Sequence, residues 1–222
     1  MGVAENLELV RKEIPGHVTL VAVTKTKPVE TILEAYRAGH RDFGENRVQE
    51  LMQKKESLPA DIRWHMVGHL QSNKVKLLVP FVHMIHGVDS LKLLKVIEKE
   101  SAENNRVTDV LLQVHIAREE TKFGLSEEEL DALLYSEEFG RVTHTRIRGL
   151  MGMATFTENR EQVRREFRYL KGLFDRLRGS VFAGSDAFNQ LSMGMSGDYR
   201  LALEEGSTMV RIGSLIFGPR NQ

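Results

Sequence analysis

Lys25 is the residue of this sequence best suited to do chemistry. It follows a short apolar, β-branched run, residues 21–24, which predicts that it stands at the end of a strand. Partial burial at the carboxyl end of a barrel strand lowers the pKa of a lysine amine, and the neutral amine can form an imine with a carbonyl compound. The alternative is a structural lysine whose stem lies along the strand and whose amine reaches water.

Two segments near the end of the chain could hold an anion. Residues 192–197 read Ser-Met-Gly-Met-Ser-Gly and should follow a seventh strand, whereas residues 211–214 read Arg-Ile-Gly-Ser and should lie on and after an eighth. Barrels often bind phosphate here, because glycine lets the backbone approach an oxyanion while hydroxyls and amides donate to it. Ser196, Gly213 and Ser214 are the candidates. The alternative for the first segment is a flexible turn whose methionines fill gaps in the core.

Arg211 and Asn46 could complete such a site. Arg211 lies in an otherwise apolar stretch, and an inward-facing arginine needs an acceptor because its charge cannot be discharged. A ring nitrogen of a ligand would serve, and so would an interior carboxylate. Asn46 follows the second predicted strand and could hydrogen-bond at the site or cap the next helix, and we expect the cap.

Eight apolar or β-branched segments, most of them followed by a helical pattern, are expected to position these residues. The predicted strands are residues 18–24, 41–44, 63–67, 83–88, 108–116, 145–151, 188–192 and 209–212. This alternation is typical of parallel strands with crossover helices, and eight such units close a (β/α)8 barrel. We therefore predict an α/β fold, a single TIM barrel over residues 1–222. An open doubly wound sheet is the alternative.

Two helices and one shared rim follow from the same pattern. Apolar residues at three- and four-residue spacing predict a helix over residues 163–177 that ends near Gly179, and Ser126 with Glu129 predicts a capping box. Residues just past each barrel strand share one rim. The residues that we expect to meet there are Lys25, Asn46, His69, Met153, Ser196 and Gly213.

Composition excludes several classes of function. Of the 222 residues, 31 are Lys or Arg and 31 are Asp or Glu, so no net charge attracts nucleic acid or an anionic membrane. The absence of cysteine excludes disulfides, thiol catalysis and thiolate metal sites, and it fits a cytoplasmic protein. No basic and apolar leader or membrane-length apolar run is present, so we expect an untargeted chain.

The histidines invite a metal interpretation, which we do not adopt. His65 and His69 straddle a strand end instead of sharing a helix face, and His83 and His86 follow close behind. No acidic residue lies near them at the sequence spacing of known metal motifs. We expect no metal and interpret these residues as core or rim histidines.

Five longer segments of the sequence form a distinctive set: VTKT at 23–26, FGENRVQE at 43–50, WHMVGHLQSNK at 64–74, SMGMS at 192–196 and VRIGSLIFG at 210–218. Together they resemble a known family, the pyridoxal phosphate homeostasis proteins, which are related to the barrel domain of alanine racemase. They extend over nearly the whole chain and occur in the order of the family. The resemblance implies the fold of the N-terminal domain of alanine racemase and the cofactor pyridoxal 5'-phosphate.

The resemblance also implies roles for individual residues. Lys25 would hold the cofactor reversibly as a lysine aldimine, Ser196, Gly213 and Ser214 would hold its phosphate, and Arg211 would approach its pyridine nitrogen. The full implied set is Lys25, Asn46, Ser192, Ser196, Arg211, Gly213 and Ser214.

Two parts of the sequence support the roles implied by the resemblance less well. Ser192 is the weaker member of the set, since its position also suits a role within the strand. Residues 151–155 depart from the family pattern, because they lack the proline expected a little after the sixth strand. The loop at this place is therefore expected to have a different shape.

These roles suit a carrier more than a catalyst. An arginine at the ring nitrogen keeps the pyridine unprotonated and weakens the electron sink that most pyridoxal enzymes obtain from an aspartate. Racemisation also needs a second base on the far face, and this sequence stops at Gln222, soon after the eighth strand. We therefore expect a non-catalytic, monomeric protein that buffers pyridoxal phosphate or delivers it to apo-enzymes, without nucleic acid or membrane partners.

Two enzymes remain as alternatives. One is a small pyridoxal-phosphate-dependent amino-acid racemase, and the other is a Schiff-base aldolase without a cofactor. Lys74 and Lys122 are further amines near the predicted rim, either of which could be a secondary resting place for the aldehyde or a plain surface lysine.

Overall fold

Eight parallel strands close into a barrel in chain order, so the predicted TIM-barrel fold is confirmed. The computed structural model describes residues 2–119 and 121–219. The strands are β1 (Thr19–Val23), β2 (Asp42–Glu45), β3 (Arg63–Met66), β4 (Met84–Val88), β5 (Thr108–Gln113), β6 (Thr145–Met151), β7 (Gln190–Met195) and β8 (Met209–Ile212). The first and last strands pair with Val21 opposite Arg211, which completes the barrel.

Helices connect the strands and cover the outside of the barrel. They are α1 (Val3–Glu13), α2 (Val29–Arg37), α3 (Val48–Ser57), α4 (Val75–Leu78), α5 (Leu91–Glu103), α6 (Glu127–Leu134), α7 (Arg160–Arg178), α8 (Tyr199–Glu204) and α9 (Ser214–Phe217). Short 3-10 turns lie at Ser72–Lys74 and Phe139–Arg141. Among the described helices, none combines the length and the apolar composition needed to cross a membrane.

Side chains alternate between two cores along each strand, because successive residues of a strand point to opposite faces. In β1, Leu20 and Ala22 pack with the helices, whereas Val21 and Val23 face the barrel interior. The buried residues of the small interior cluster are Val21, Val67, Met84, Leu111, Met151 and Met209. The interior is therefore a packed core, and only the ends of the barrel can hold a site.

The predicted end of α7 and the predicted start of α6 are confirmed, whereas α7 begins earlier than its apolar pattern, at Arg160. Helix α7 ends with Gly179 as its C-cap, and the whole predicted apolar face is buried, with Phe167 and Leu170 fully covered. Helix α6 begins after Ser126, whose hydroxyl accepts from the backbone N–H of Glu129 while the Glu129 carboxylate accepts from the N–H of Ser126. Both signals were local in sequence, which is why they could be read without the fold.

Two predicted strands have wrong bounds. Strand β5 ends at Gln113, because the next residue, Val114, forms an isolated bridge with Leu125, and the N–H of His115 donates to the carbonyl of Leu125. Strand β7 begins at Gln190 and continues to Met195. A register shift against β8 and a positive φ of 96° at Gly194 form an irregularity inside β7, so a segment that looks like a turn in sequence remains paired.

Replacement of Gly194 and of Gly172 by alanine should change the free energy of unfolding in opposite directions. At Gly194, a Cβ atom would lie 2.6 Å from the Cβ of Ala202, in a left-handed backbone conformation. At Gly172, in the exposed face of α7, a Cβ would meet no atom within 4 Å. We expect Gly194→Ala to lower the free energy of unfolding by about 1–3 kcal/mol and Gly172→Ala to raise it by about 1 kcal/mol, as urea titration would measure. Equal effects would contradict the described conformation of β7.

Candidate functional site

A cavity of about 390 Å³ opens at the carboxyl ends of the strands. Six of the seven residues predicted to hold a cofactor line it, namely Lys25, Asn46, Ser196, Arg211, Gly213 and Ser214. Alternation along the strands brings them together, since Lys25 continues the inward series of Val21 and Val23 in β1. The predicted meeting of strand ends is thus what the structure shows for Lys25, Asn46, Ser196 and Gly213.

The remaining rim predictions have different outcomes. Met153 lines the cavity as expected, but His69 lies further out, where its Nδ1 is 3.0 Å from Asp89 and its ring stacks on Phe123. Ser192 is fully buried and does not line the cavity. The expected helix cap by Asn46 is wrong, because the N-cap position of α3 is Arg47. Asn46 comes one residue earlier, so its side chain lines the cavity instead.

Arg211 reaches the floor of the cavity from inside the barrel. Its side chain is 4% exposed and donates to the carbonyl of Ser192 at 2.9 Å, to the Ser192 hydroxyl at 2.6 Å and to the carbonyl of Gly152 at 3.0 Å. Burial lowers the pKa of Arg211 to about 10, against the opposite effect of Asp198. The guanidinium therefore stays charged near neutral pH, and its five N–H donors exceed these three contacts.

The ends of β7 and β8 form the second side of the cavity. The hydroxyl of Ser196 accepts a hydrogen bond from the backbone N–H of Gly213 at 3.3 Å. A Cβ at Gly213 would lie 3.0 Å from the carbonyl oxygen of Val23, so glycine is what permits this close approach to β1. Ser214 is exposed at the start of α9. Hydroxyls and a bare backbone thus face one small space, which is a suitable arrangement for an oxyanion.

Sequence reasoning missed three residues of the cavity. Asp198 accepts from the N–H of Met195 at 2.6 Å, and burial raises the pKa of its carboxyl group. Lys27 donates to the carbonyl of Pro219 at 2.7 Å, and Phe156 is 96% exposed at the rim. All three line the cavity. They stand outside the strands, in loops whose course cannot be read from a local pattern.

A buried charged cluster holds the backbone on either side of Lys25. Thr26 has a φ of 62°, an uncommon conformation for a β-branched residue. Its N–H donates to Glu50 Oε1 at 2.6 Å, and Lys54 Nζ donates to the carbonyl of Thr24 at 2.7 Å. Lys54 also contacts both Glu45 and Glu50, at 2.5 and 2.6 Å. Backbone strain is thus tied by hydrogen bonds to the residue that we expect to react.

The same cluster is costly to break. Glu45 is fully buried, and burial raises the pKa of its carboxyl group in spite of the opposing hydrogen bonds from Lys54 and Thr24. Its Oε2 atom has no hydrogen-bond partner within the described part of the chain. Lys54, itself 6% exposed, is therefore the cation that compensates two carboxylates.

At the opposite end of the barrel, Asp42, His65 and His83 have ligand-type atoms within 4.8 Å of one another. The acidic residue comes from the neighbouring strand β2, which sequence spacing could not reveal. Arg63 already forms a two-point ion pair with this carboxylate. Its Nε lies 2.7 Å from Asp42 Oδ1, and its Nη2 donates to Oδ2. Hydrogen bonds from Arg63 and His65 keep the pKa of Asp42 well below its usual range, despite the opposing effect of burial.

Comparison with known proteins identifies the class of this barrel. The model of the family described as alanine racemase, N-terminal domain, matches residues 2–221. PipY of Synechococcus elongatus, solved without PLP, is 36% identical, has a TM-score of 0.91 and covers 97% of this chain and 100% of its own. PipY with PLP bound superimposes with a TM-score of 0.88.

Two relatives that share one protein name identify the family within this class. A pyridoxal phosphate homeostasis protein of Aquifex aeolicus is 44% identical over 90% of this chain and 86% of its own length. One of Haemophilus influenzae is 36% identical over 100% of this chain and 97% of its own. The chain therefore belongs to the pyridoxal phosphate homeostasis protein family, and the resemblance that the motifs indicated is confirmed.

Replacing Lys54 should destabilise the fold far more than replacing its neighbour. Lys54→Met leaves Glu45 and Glu50 without their shared cation, and we expect a loss of about 3–5 kcal/mol in the free energy of unfolding. Lys55→Met is the matched control, since Lys55 is exposed over the ring of Phe81 and should change stability by about 0.5 kcal/mol or less. Urea unfolding measures both, and similar losses would contradict the charged cluster.

Proposed function

We propose that this protein binds pyridoxal 5'-phosphate in the cavity at the mouth of the barrel and attaches it reversibly to Lys25. The observation that carries the proposal is that one cavity is lined by the amine-bearing Lys25, by the guanidinium of Arg211 and by Ser196, Gly213 and Ser214. The PLP-bound structure of PipY supports it, as do the names of the relatives.

The donor set of the cavity fits this cofactor. A volume of about 390 Å³ falls within the range of roughly 300–1,000 Å³ typical of small-molecule sites. The cofactor supplies an aldehyde, with which a lysine amine forms a C=N bond while one water molecule is released. Return of water reverses the attachment, which suits a protein that must give the cofactor up.

Each residue has a separate task in this proposal. Ser196 and Ser214 would donate hydroxyl hydrogen bonds to the phosphate, and Gly213 would let the backbone come close. Arg211 would donate to the ring nitrogen and so favour its unprotonated form. Asn46 and Met153 bound the space on the remaining sides.

We infer a carrier role from the position of Arg211 together with the homeostasis names of the relatives. A guanidinium at the ring nitrogen disfavours the electron withdrawal that carbanion chemistry requires, while leaving attachment intact. Buffering of the cofactor and delivery to apo-enzymes are the corresponding activities. Delivery requires that loaded protein activate an apo-enzyme faster than its spontaneous release of cofactor allows. Equal rates would reject delivery and leave buffering alone.

Substitution of Lys25 tests the proposal directly. We expect wild-type protein titrated with pyridoxal phosphate to develop the visible absorption band of a lysine imine, and Lys25→Ala to lose it, with an affinity lower by at least about tenfold because covalent attachment is gone. Lys27→Ala is the matched control, since Lys27 lines the same cavity and should keep the band. A band that persists in Lys25→Ala would overturn the assignment of the amine.

The phosphate side of the cavity has its own test. Hydrogen bonds to a charged group contribute about 1.5–3 kcal/mol each, so wild-type protein should bind pyridoxal phosphate far more tightly than pyridoxal. Ser196→Ala with Ser214→Ala should reduce this preference by roughly a hundredfold or more. Isothermal titration with both compounds measures it. An unchanged preference would place the phosphate elsewhere.

Asp198 favours a second candidate function, a small amino-acid racemase. Its carboxyl group lines the cavity, and burial raises the pKa of this group. A carboxyl group beside a bound substrate is a candidate acid or base for proton transfer. Exchange of the α-hydrogen of amino acids with deuterated solvent tests this activity. Exchange above the level of unbound cofactor that Asp198→Asn abolishes would support it, and exchange at that level would reject it.

A further inference from the structure

We propose that a one-directional chain of hydrogen bonds through the barrel interior positions Arg211 in the cavity. This chain, called the relay below, consists of Arg211, Ser192, His86, His65 and Asp42. The inference deepens the proposed function and rests on it only where cofactor affinity is the readout. Ser192, His86, His65 and Asp42 are then positioning residues, which act on a ligand through Arg211.

The relay is continuous. Arg211 donates to the Ser192 hydroxyl at 2.6 Å, and this oxygen is 3.2 Å from His86 Nδ1. His86 Nε2 is 2.9 Å from His65 Nδ1, and His65 Nε2 is 3.2 Å from Asp42 Oδ1. The three middle residues are 1% exposed or less. The relay therefore crosses the core from the floor of the cavity to the opposite end of the barrel.

The chemistry of the two ends of the relay determines which group donates and which accepts in each of its hydrogen bonds. A guanidinium can only donate, and an ionised carboxylate can only accept. Ser192 accepts from Arg211, so its own hydroxyl proton is directed to His86 Nδ1. His86 then carries its proton on Nε2 and donates to His65 Nδ1, and His65 carries its proton on Nε2 and donates to Asp42. For neutral imidazoles, this is the one assignment that satisfies all four links.

The surroundings favour a neutral His86. Burial lowers the pKa of His86 well below its usual range, and the nearby His65, Arg211 and His83 act in the same direction. The ring of His83 lies 5.1 Å from that of His65, and Arg63 holds the carboxylate of Asp42 from the other side. The charged groups Arg211 and Asp42 thus lie at the two ends of the relay, with the neutral His86 between them.

The relay controls Arg211 through Ser192. If His86 carried its proton on Nδ1, it would donate to the Ser192 oxygen, which already accepts from Arg211. The Ser192 proton would then lack an acceptor in the described core, at the cost of an unsatisfied buried donor. The observed tautomer avoids this conflict, and the guanidinium keeps one orientation toward the cavity. This explains why Ser192 belongs to a cofactor-related motif without lining the cavity.

Nuclear magnetic resonance of the cofactor-free protein tests the direction of the relay. Long-range ¹H–¹⁵N spectra distinguish protonated from unprotonated imidazole nitrogens, so we expect His65 and His86 to show a protonated Nε2 and an unprotonated Nδ1 at neutral pH. Arg63→Gln is the control, because it removes another partner of Asp42 and should leave both tautomers unchanged. A protonated Nδ1 on His86 would overturn the proposal, whether or not the protein binds pyridoxal phosphate.

Two substitutions of His86 test whether the relay positions Arg211 for cofactor binding. His86→Leu removes both links of the imidazole, and we expect it to weaken binding of pyridoxal phosphate by about tenfold while the absorption band of Lys25 remains. His86→Gln retains one acceptor and one donor and should restore most of the affinity. Equal affinities in both variants and in wild type would show that the relay does not position Arg211. If His86→Leu does not fold, Ser192→Ala provides the same comparison, with the tautomers of wild type as the independent readout.

Discussion

The pairing of β1 with β8 is the interaction on which the site depends. Parallel pairing places Val21 beside Arg211 and Ala22 beside Ile212, and it sends the carboxyl ends of both strands to the same rim. Because side chains alternate, Val23 and Lys25 then follow Val21 on the inner side. A shift of one residue in this register would turn Arg211 toward the helices and take the guanidinium out of the cavity.

Charge inside the barrel is tolerated because it occurs in hydrogen-bonded sets. Arg211 is held by two carbonyls and a hydroxyl, and Lys54 is held by two carboxylates and the carbonyl of Thr24. An unpaired buried ion would cost several kcal/mol, so each set has to be formed as a whole. The first set lies at the floor of the cavity, and the second holds the backbone on either side of Lys25.

Much of the fold could be read from local signals, whereas contacts that depend on register could not. The capping box of Ser126 and the apolar face of α7 are local, and both were predicted. Lys25 and Gly213 were found because they follow strands with clear apolar patterns. The end of β7 was misjudged, since Gly194 looks like a turn residue although its strand continues past it.

The relay and the cluster around Lys54 had no signature in the sequence. Both join residues from different strands and helices, so their contacts cannot be predicted until the strand register is known. In the proposed function, such register brings one particular amine, that of Lys25, to the cofactor. Borohydride reduction of the protein with bound pyridoxal phosphate, followed by peptide mass mapping, identifies the lysine that is attached. We expect a reduced adduct on the peptide that contains Lys25, at Lys25 itself, and an adduct confined to Lys27, Lys74 or Lys122 would overturn the proposal.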